Sequence, residues 1–309
     1  MTTLLVSHPS CAFHDTGPHH PECPDRVRVI MESLGAVNFA GLRRQRAPFI
    51  EREAILRVHP VRYIDAIEAA CPASGRVYLD PDTVMSEKSY EAIARSAGGA
   101  AAAVDAVMAG DADNAFVAMR PPGHHAGMAS PMGFCFFNNA AIAARHAKAA
   151  YGAERVAIFD FDVHHGNGTQ EIFWFDPSVL YASTHQMPLY PGTGGRDEKG
   201  EHGNIVNVPL AAGDDGSRFR TAVATQILPR MSDFRPDLII ISAGFDGHMD
   251  DPLGGLRLTE SDFAWATEKA MEIAAKFAKG RVVSVLEGGY GLRGLSCSAA
   301  AHVSALTGA

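Results

Sequence analysis

The sequence is poor in the features that mark scaffolds, nucleic-acid binders and membrane proteins. Its five cysteines, Cys11, Cys23, Cys71, Cys135 and Cys297, are odd in number, widely spread and never in a C-x-x-C pair. That argues against a disulfide framework or a cysteine zinc site and fits a reducing cytoplasm. Basic residues are the minority, 27 Lys and Arg against 35 Asp and Glu, for a net charge of −8. With no basic stripe to meet phosphates, no direct nucleic-acid partner is expected. Long apolar runs are missing too. The richest stretch, Ala92–Ala109, is broken by Arg95 and Asp105 and is too polar to span a bilayer, so no membrane partner is expected. Met1–Cys11 has no leading positive charge and does not read as a signal peptide. Its 30 glycines and 18 prolines follow no period, and no linker or repeat interrupts the 309 residues. One domain over residues 1–309 is the expectation, of ordinary globular composition at 47% hydrophobic and 20% charged residues.

What is present is an alternation. Short β-branched runs at Thr3–Ser7, Asn114–Met119, Arg155–Asp162, Val179–Ser183, Asn204–Pro209, Leu238–Ser242 and Arg281–Leu286 read as strands. Several are apolar throughout, as strands covered on both faces are. Helix-period segments stand between them at Ser86–Met108, Asn139–Tyr151, Phe219–Met231, Phe263–Ala278 and Leu295–Leu306, several closing on glycine. Alternating strands and helices predict an α/β fold with a parallel sheet between helix layers.

Six of the fourteen histidines form adjacent pairs, at 19–20, 124–125 and 164–165. A lone histidine is usually a core or surface residue, but tandem pairs just after strands are harder to dismiss. Polar clusters follow five predicted strands, at Arg120–His125, Asp160–Gly168, Ser183–His185, Gly244–His248 and Glu287–Gly291. Ligands of open α/β sheets bind outside the carboxyl ends of strands, so these clusters point to one site. In an extended segment residues i and i+2 share a side, which aligns Asp160, Asp162 and His164. Asp162 and His164 are too few to hold a cation, but Asp246, from another strand end, makes a third ligand. Three protein ligands with an open position describe a catalytic zinc site. Taken alone, the same acids could be helix caps or surface turns, and their place at the strand ends favours the metal.

Together these segments carry a family resemblance. R-P-P-G-H-H (Arg120–His125), G-F-C-F-F-N (Gly133–Asn138), D-F-D-V-H-H-G-N-G-T-Q (Asp160–Gln170), P-G-T-G (Pro191–Gly194), S-A-G-F-D (Ser242–Asp246), D-P-L-G-G (Asp251–Gly255) and L-E-G-G-Y (Leu286–Tyr290) resemble the histone deacetylase superfamily. The likeness is greatest to its class II branch and bacterial amidohydrolases, and reaches H-D-T-G-P-H-H-P-E at His14–Glu22. It implies an arginase/deacetylase fold with an eight-stranded, mostly parallel sheet. It implies one zinc per chain on Asp162, His164 and Asp246, a general acid/base pair at His124 and His125 backed by Asp160 and Asn167, and an oxyanion-stabilising Tyr290. A structural potassium would lie on Asp160, Ser183 and backbone carbonyls of Asp162, His164 and Thr184, and a second cation near Phe173, Asp176 and Val179. Substrate would meet Gly133, Phe134, Tyr190 and Gly288 as tunnel walls, with Asp82 at the rim catching an amide N–H.

Two departures bear on this resemblance. Asn167 stands where class I enzymes carry Asp, and Tyr190 where many relatives carry Phe. The implied activity is hydrolysis of N-acylated, mainly acetylated, amines such as acetyl-lysine, with acetylpolyamines or small xenobiotic amides as the alternative. The implied partners are small-molecule or acyl-lysine substrates, and a homo-oligomer is compatible with them. An arginase-like two-metal enzyme would want an acid at position 166, which is glycine. A non-catalytic acyl-lysine binder would tolerate loss of Tyr290 or a metal ligand, yet all are present.

Overall fold

The computed structural model describes residues 1–308. Ten strands run in chain order: β1 (Thr3–Ser7), β2 (Arg43–Arg46), β3 (Arg76–Tyr78), β4 (Val84–Ser86), β5 (Asn114–Val117), β6 (Val156–Asp160), β7 (Val179–Gln186), β8 (Ile205–Leu210), β9 (Leu238–Ala243) and β10 (Val282–Leu286). Eight form one all-parallel sheet in the order β2-β1-β5-β10-β9-β6-β7-β8, and β3 and β4 make a separate antiparallel pair. The inner strands are buried along their whole length, which is why their sequences run apolar rather than alternate. The edge strand β2 is the opposite, a largely exposed R-R-Q-R whose charges discourage pairing with another chain.

The α-helices are α1 (Asp25–Ser33), α2 (Arg52–Leu56), α3 (Val61–Ala69), α4 (Ser89–Ala109), α5 (Asn139–Tyr151), α6 (Asn167–Phe173), α7 (Gly216–Ala222), α8 (Leu228–Phe234), α9 (Glu260–Phe277) and α10 (Leu292–Thr307). α4 and α5 pack together on the sheet, and α1, α10 and α9 form a second packed group, giving a sheet between helix layers around one core. α4 is Ala/Gly-rich because it lies close: a Cβ on Gly98 would come within 2.2 Å of the Pro48 carbonyl oxygen. α9 opens on the T-E-S-D run (Thr259–Asp262) ahead of its apolar period, with Asp262 accepting the Thr259 N–H at 2.9 Å. The helix expected over Phe219–Met231 is instead α7, a π-turn at Val223–Ile227, and α8. Pro229 has no N–H to continue an i→i−4 ladder, and the widened turn absorbs the interruption.

Candidate active site

The five strands that lead into the polar clusters, β5, β10, β9, β6 and β7, are consecutive neighbours in the sheet. Their carboxyl ends therefore open onto one place. Register sets Asp160 opposite both Ser183 of β7 and Ser242 of β9, so the residues just beyond β6 and β9 meet. Asp162, His164 and Asp246 are buried there, with ligand atoms all within 4.8 Å of one another. His164 Nδ1 lies 3.1 Å from Asp162 Oδ1 and 3.1 Å from Asp246 Oδ2. The other carboxylate oxygens are fixed by backbone: Gly288 N–H donates to Asp162 Oδ2 at 2.8 Å and Val163 N–H to Asp246 Oδ1 at 2.8 Å. A Cβ on Gly288 would fall 1.9 Å from Asp246 Oδ2, so glycine alone lets the turn reach this floor. The Gly288 backbone thus packs directly against the Asp162 and Asp246 carboxylates.

The electrostatics of the triad are those of a cation site. Burial and the charge of Asp162 push the Asp246 carboxyl up to about 7. Burial works against a charged His164, but its hydrogen bonds to the Asp162 and Asp246 carboxylates hold it at about 10. A divalent metal bound there would displace the protons of its ligands. Two carboxylates, each held by a backbone N–H, and an imidazole fit zinc. A second metal ligand at position 166 does not fit, because a Cβ there would meet Asp160 Oδ2 at 2.4 Å and the Tyr181 hydroxyl at 2.6 Å.

The R-P-P-G-H-H loop after β5 presents the histidine pair, with ring centroids 4.1 Å apart. His124 Nδ1 is 3.0 Å from Asp160 Oδ2, and His125 Nδ1 is 2.8 Å from Asn167 Oδ1. Burial lowers a histidine's pKa, but for His124 the Asp160, Asp162 and Glu287 charges overcome it and carry it up to about 10. His125 is held well below the ordinary value by burial and by the His124 and His164 charges. Asn167 Oδ1 can only accept, so His125 carries its proton on Nδ1 and leaves Nε2 as a free acceptor. Tyr290 stands across the cleft. Burial keeps its phenol protonated far into the alkaline range, although Arg26, 4.8 Å over its ring, works the other way.

Above these groups is a cleft of about 250 Å³ lined by Asp82, Gly133, Phe134, Tyr190, Leu189 and Leu253, with His125, His164 and Tyr290 at its base. Phe134 sits in the left-handed region at φ 69°, held by the Thr83 hydroxyl on its N–H at 3.1 Å. Its ring meets Tyr290 edge-on at 5.8 Å and His20 at 4.9 Å. Tyr190 meets His125 edge-on at 5.1 Å. A larger hollow of about 450 Å³ lined by Ala12, Asp15, Arg76 and Lys88 brings no such groups together.

The residues expected to hold monovalent cations are placed differently from one another. Asp160 and Ser183 are adjacent in register, and the buried Thr184 hydroxyl beside them has no hydrogen-bond partner. Around Phe173, Asp176 and Val179 the backbone carbonyls all accept from the Asn204 side-chain amide, which the sequence did not single out.

Other supports were also missed. Glu287 accepts the backbone N–H groups of Gly123 at 2.7 Å and His124 at 3.1 Å, fixing the histidine loop. Arg120 forks onto the buried Glu22 at 2.7 and 2.6 Å, tying that loop to the N-terminal histidine motif. Asp251 accepts the N–H groups of Tyr290 at 2.6 Å and Gly291 at 2.9 Å. Glu287 and Asp251 lie inside quoted motifs. Arg26 had no local signal.

The family model for the histone deacetylase domain matches residues 20–306. The chain is 40% identical over 302 residues to the histone deacetylase-like amidohydrolase of Pseudomonas aeruginosa, covering 91% of this chain and 79% of that protein. To a probable deacetylase of Archaeoglobus fulgidus it is 39% identical over 303 residues, covering 95% and 83%. The crystal structure of the HDA15 HD domain superposes with a TM-score of 0.94 at 38% identity, covering 99% of this chain and 88% of that one.

Proposed function

The chain belongs to the histone deacetylase family, and we propose that it is a zinc-dependent hydrolase of N-acylated amines, chiefly acetylated ones such as acetyl-lysine. One observation carries this reading: a buried Asp162/His164/Asp246 donor set, an imidazole held neutral and a phenol held protonated meet at the base of a single cleft. Zinc bound at the triad would supply a Lewis acid with an open position for water and the amide carbonyl. His125 accepts the attacking water's proton at Nε2, since its Nδ1 hydrogen is engaged by Asn167. Tyr290 donates its hydroxyl hydrogen to the carbonyl oxygen as negative charge gathers there. His124, charged against Asp160, adds a fixed positive potential beside the reacting carbon. The proton taken by His125 returns to the leaving nitrogen, the C–N bond breaks, and a carboxylate and an amine depart.

Phe134 and Tyr190 suit a linear stem, and Asp82 at the rim suits a substrate amide N–H. Potassium on Asp160, Ser183 and backbone carbonyls of Asp162, His164 and Thr184 belongs to the same proposal, as do a cytoplasmic location and the absence of a direct nucleic-acid partner. Among the described residues no helix is long and apolar enough to cross a membrane.

The test pairs metal analysis with turnover of an acetyl-lysine peptide. Chelation should abolish turnover and added zinc restore it. Asp246→Ala should lose metal and turnover together while its circular dichroism stays that of the parent. Full turnover by a preparation shown to be metal-free would end the proposal.

A further inference from the structure

We propose that this chain closes the outer monovalent-cation position with its own Asn204 amide, so that no ion binds among the carbonyls of Phe173, Asp176 and Val179. These three carbonyl oxygens belong to the segment that leads from α6 into β7 and converge on one point. At that point is Asn204 Nδ2, 2.8 Å from the Phe173 oxygen, 3.1 Å from that of Asp176 and 3.0 Å from that of Val179. An NH₂ group has two hydrogens, so it satisfies three acceptors by sharing one of them.

The contacts are direct. Even calcium keeps its oxygen ligands about 2.3–2.6 Å away, which spaces ligands at right angles about 3.4 Å apart. Potassium, the larger ion, needs more. The Asn204 head group is closer to all three carbonyls than that and leaves no place for an ion between them. Turning the amide over would set its oxygen against three carbonyl oxygens at the same distances, and would aim the NH₂ where Oδ1 now has no partner. The carbonyls therefore fix the orientation.

The surroundings are built to hold the amide there. Asn204 is buried, and its backbone carbonyl accepts the Tyr181 N–H at 2.9 Å, anchoring the approach to β8. Gly200 gives the head group its space, because a Cβ there would come 2.6 Å from Asn204 Oδ1. The positive charge an ion would bring is also supplied. The Arg145 guanidinium pairs with the Asp176 carboxylate and lies 5.0 Å over the Phe173 ring. Asn204 brings the donors and Arg145 the charge, both covalently attached. The geometry of the segment entering β7, which carries Ser183 and Thr184, is then independent of the surrounding salt.

Crystals of the wild-type protein grown in rubidium chloride test this by anomalous scattering. No rubidium peak is expected within reach of the Phe173, Asp176 and Val179 carbonyls. A peak there would overturn the proposal, since Asn204 would have to yield to the ion. A second measurement uses Asn204→Asp, which places oxygen where the amide nitrogen stood. Thermal unfolding of this variant should rise in rubidium chloride, relative to choline chloride at equal ionic strength, by about 3 °C or more beyond the wild-type response. Identical responses would also overturn the proposal. If Asn204→Asp does not fold, the wild-type rubidium map decides alone.

Discussion

At the scale of single residues, the site works by making two adjacent imidazoles unlike. His124 faces the Asp160 carboxylate at 3.0 Å, whereas His125 faces the neutral Asn167 amide at 2.8 Å. Burial and the neighbouring His124 charge keep His125 unprotonated at pH values well below those of an ordinary histidine. A base must be neutral to act, so the acidic limb of the wild-type kcat/KM profile should lie below pH 6.5. Asn167→Asp places a carboxylate beside His125 Nδ1, stabilises the imidazolium and raises its pKa. The acidic limb should move to higher pH, as profiles of the two proteins at matched zinc content would reveal. An unmoved limb in a folded, fully metallated mutant would mean that His125 is not the base. The sequence disclosed these residues because short motifs at strand ends carry them. It could not disclose Arg26, whose guanidinium reaches the Gly289 carbonyl 263 positions away and covers the Tyr290 ring. A long-range support leaves no mark on its own neighbours in sequence.

At the scale of elements, the loops after β9 and β10 are joined by one side chain. Asp251 accepts the N–H groups of Tyr290 and Gly291 on one oxygen, and that of Leu253 at 3.0 Å on the other. Gly291 caps the N-terminus of α10, where a carboxylate also meets the helix dipole. Asp251 therefore sets the position of the Tyr290 hydroxyl and of a cleft wall together. Tyr290→Phe should lose ~10²–10³ in kcat with substrate binding kept, the usual cost of one oxyanion donor. Asp251→Asn should lower kcat by at least ~10-fold with zinc content unchanged, yet cost little more once Tyr290 is already Phe. Purely additive losses would show that Asp251 does not act through Tyr290. The elements legible in the sequence were those whose burial is written as composition, such as Leu238–Ala243, buried throughout and apolar over Leu238–Ile241. β2 was not legible, because an edge strand of R-R-Q-R buries no continuous face and borrows its order from β1. The π-turn before Pro229 was hidden for a different reason: the apolar period runs through it, and only the missing N–H marks the break.

At the scale of the whole molecule, the sheet order makes one deep site and gives it rigid walls. The polar strand ends are adjacent, so the metal triad, the histidine pair and Tyr290 lie at the base of a cleft whose sides come from separate loops. Phe134 is fixed in an uncommon backbone conformation by Thr83 and is flanked by the His20 and Tyr290 rings, which leaves it little freedom to swing aside. Tyr190, 39% exposed, stands at the mouth with its ring edge-on to His125. A cleft of about 250 Å³ between such walls takes a slim stem more readily than a branched one. One misfitting methylene typically costs about 1–3 kcal/mol, or 10–200-fold. Acetyl-lysine peptides should therefore be cleaved with a kcat/KM at least ~100-fold above that of pivaloyl-lysine peptides of the same sequence. Tyr190→Ala should narrow that ratio by opening the mouth, while the zinc content stays at the wild-type level. A chain-linked hydroxamate, slim enough to pass Phe134 and able to ligate zinc, should compete with the linear substrate. Equal kcat/KM for branched and linear amides in the wild type would refute the rigid-walled cleft, whatever the metal below it does.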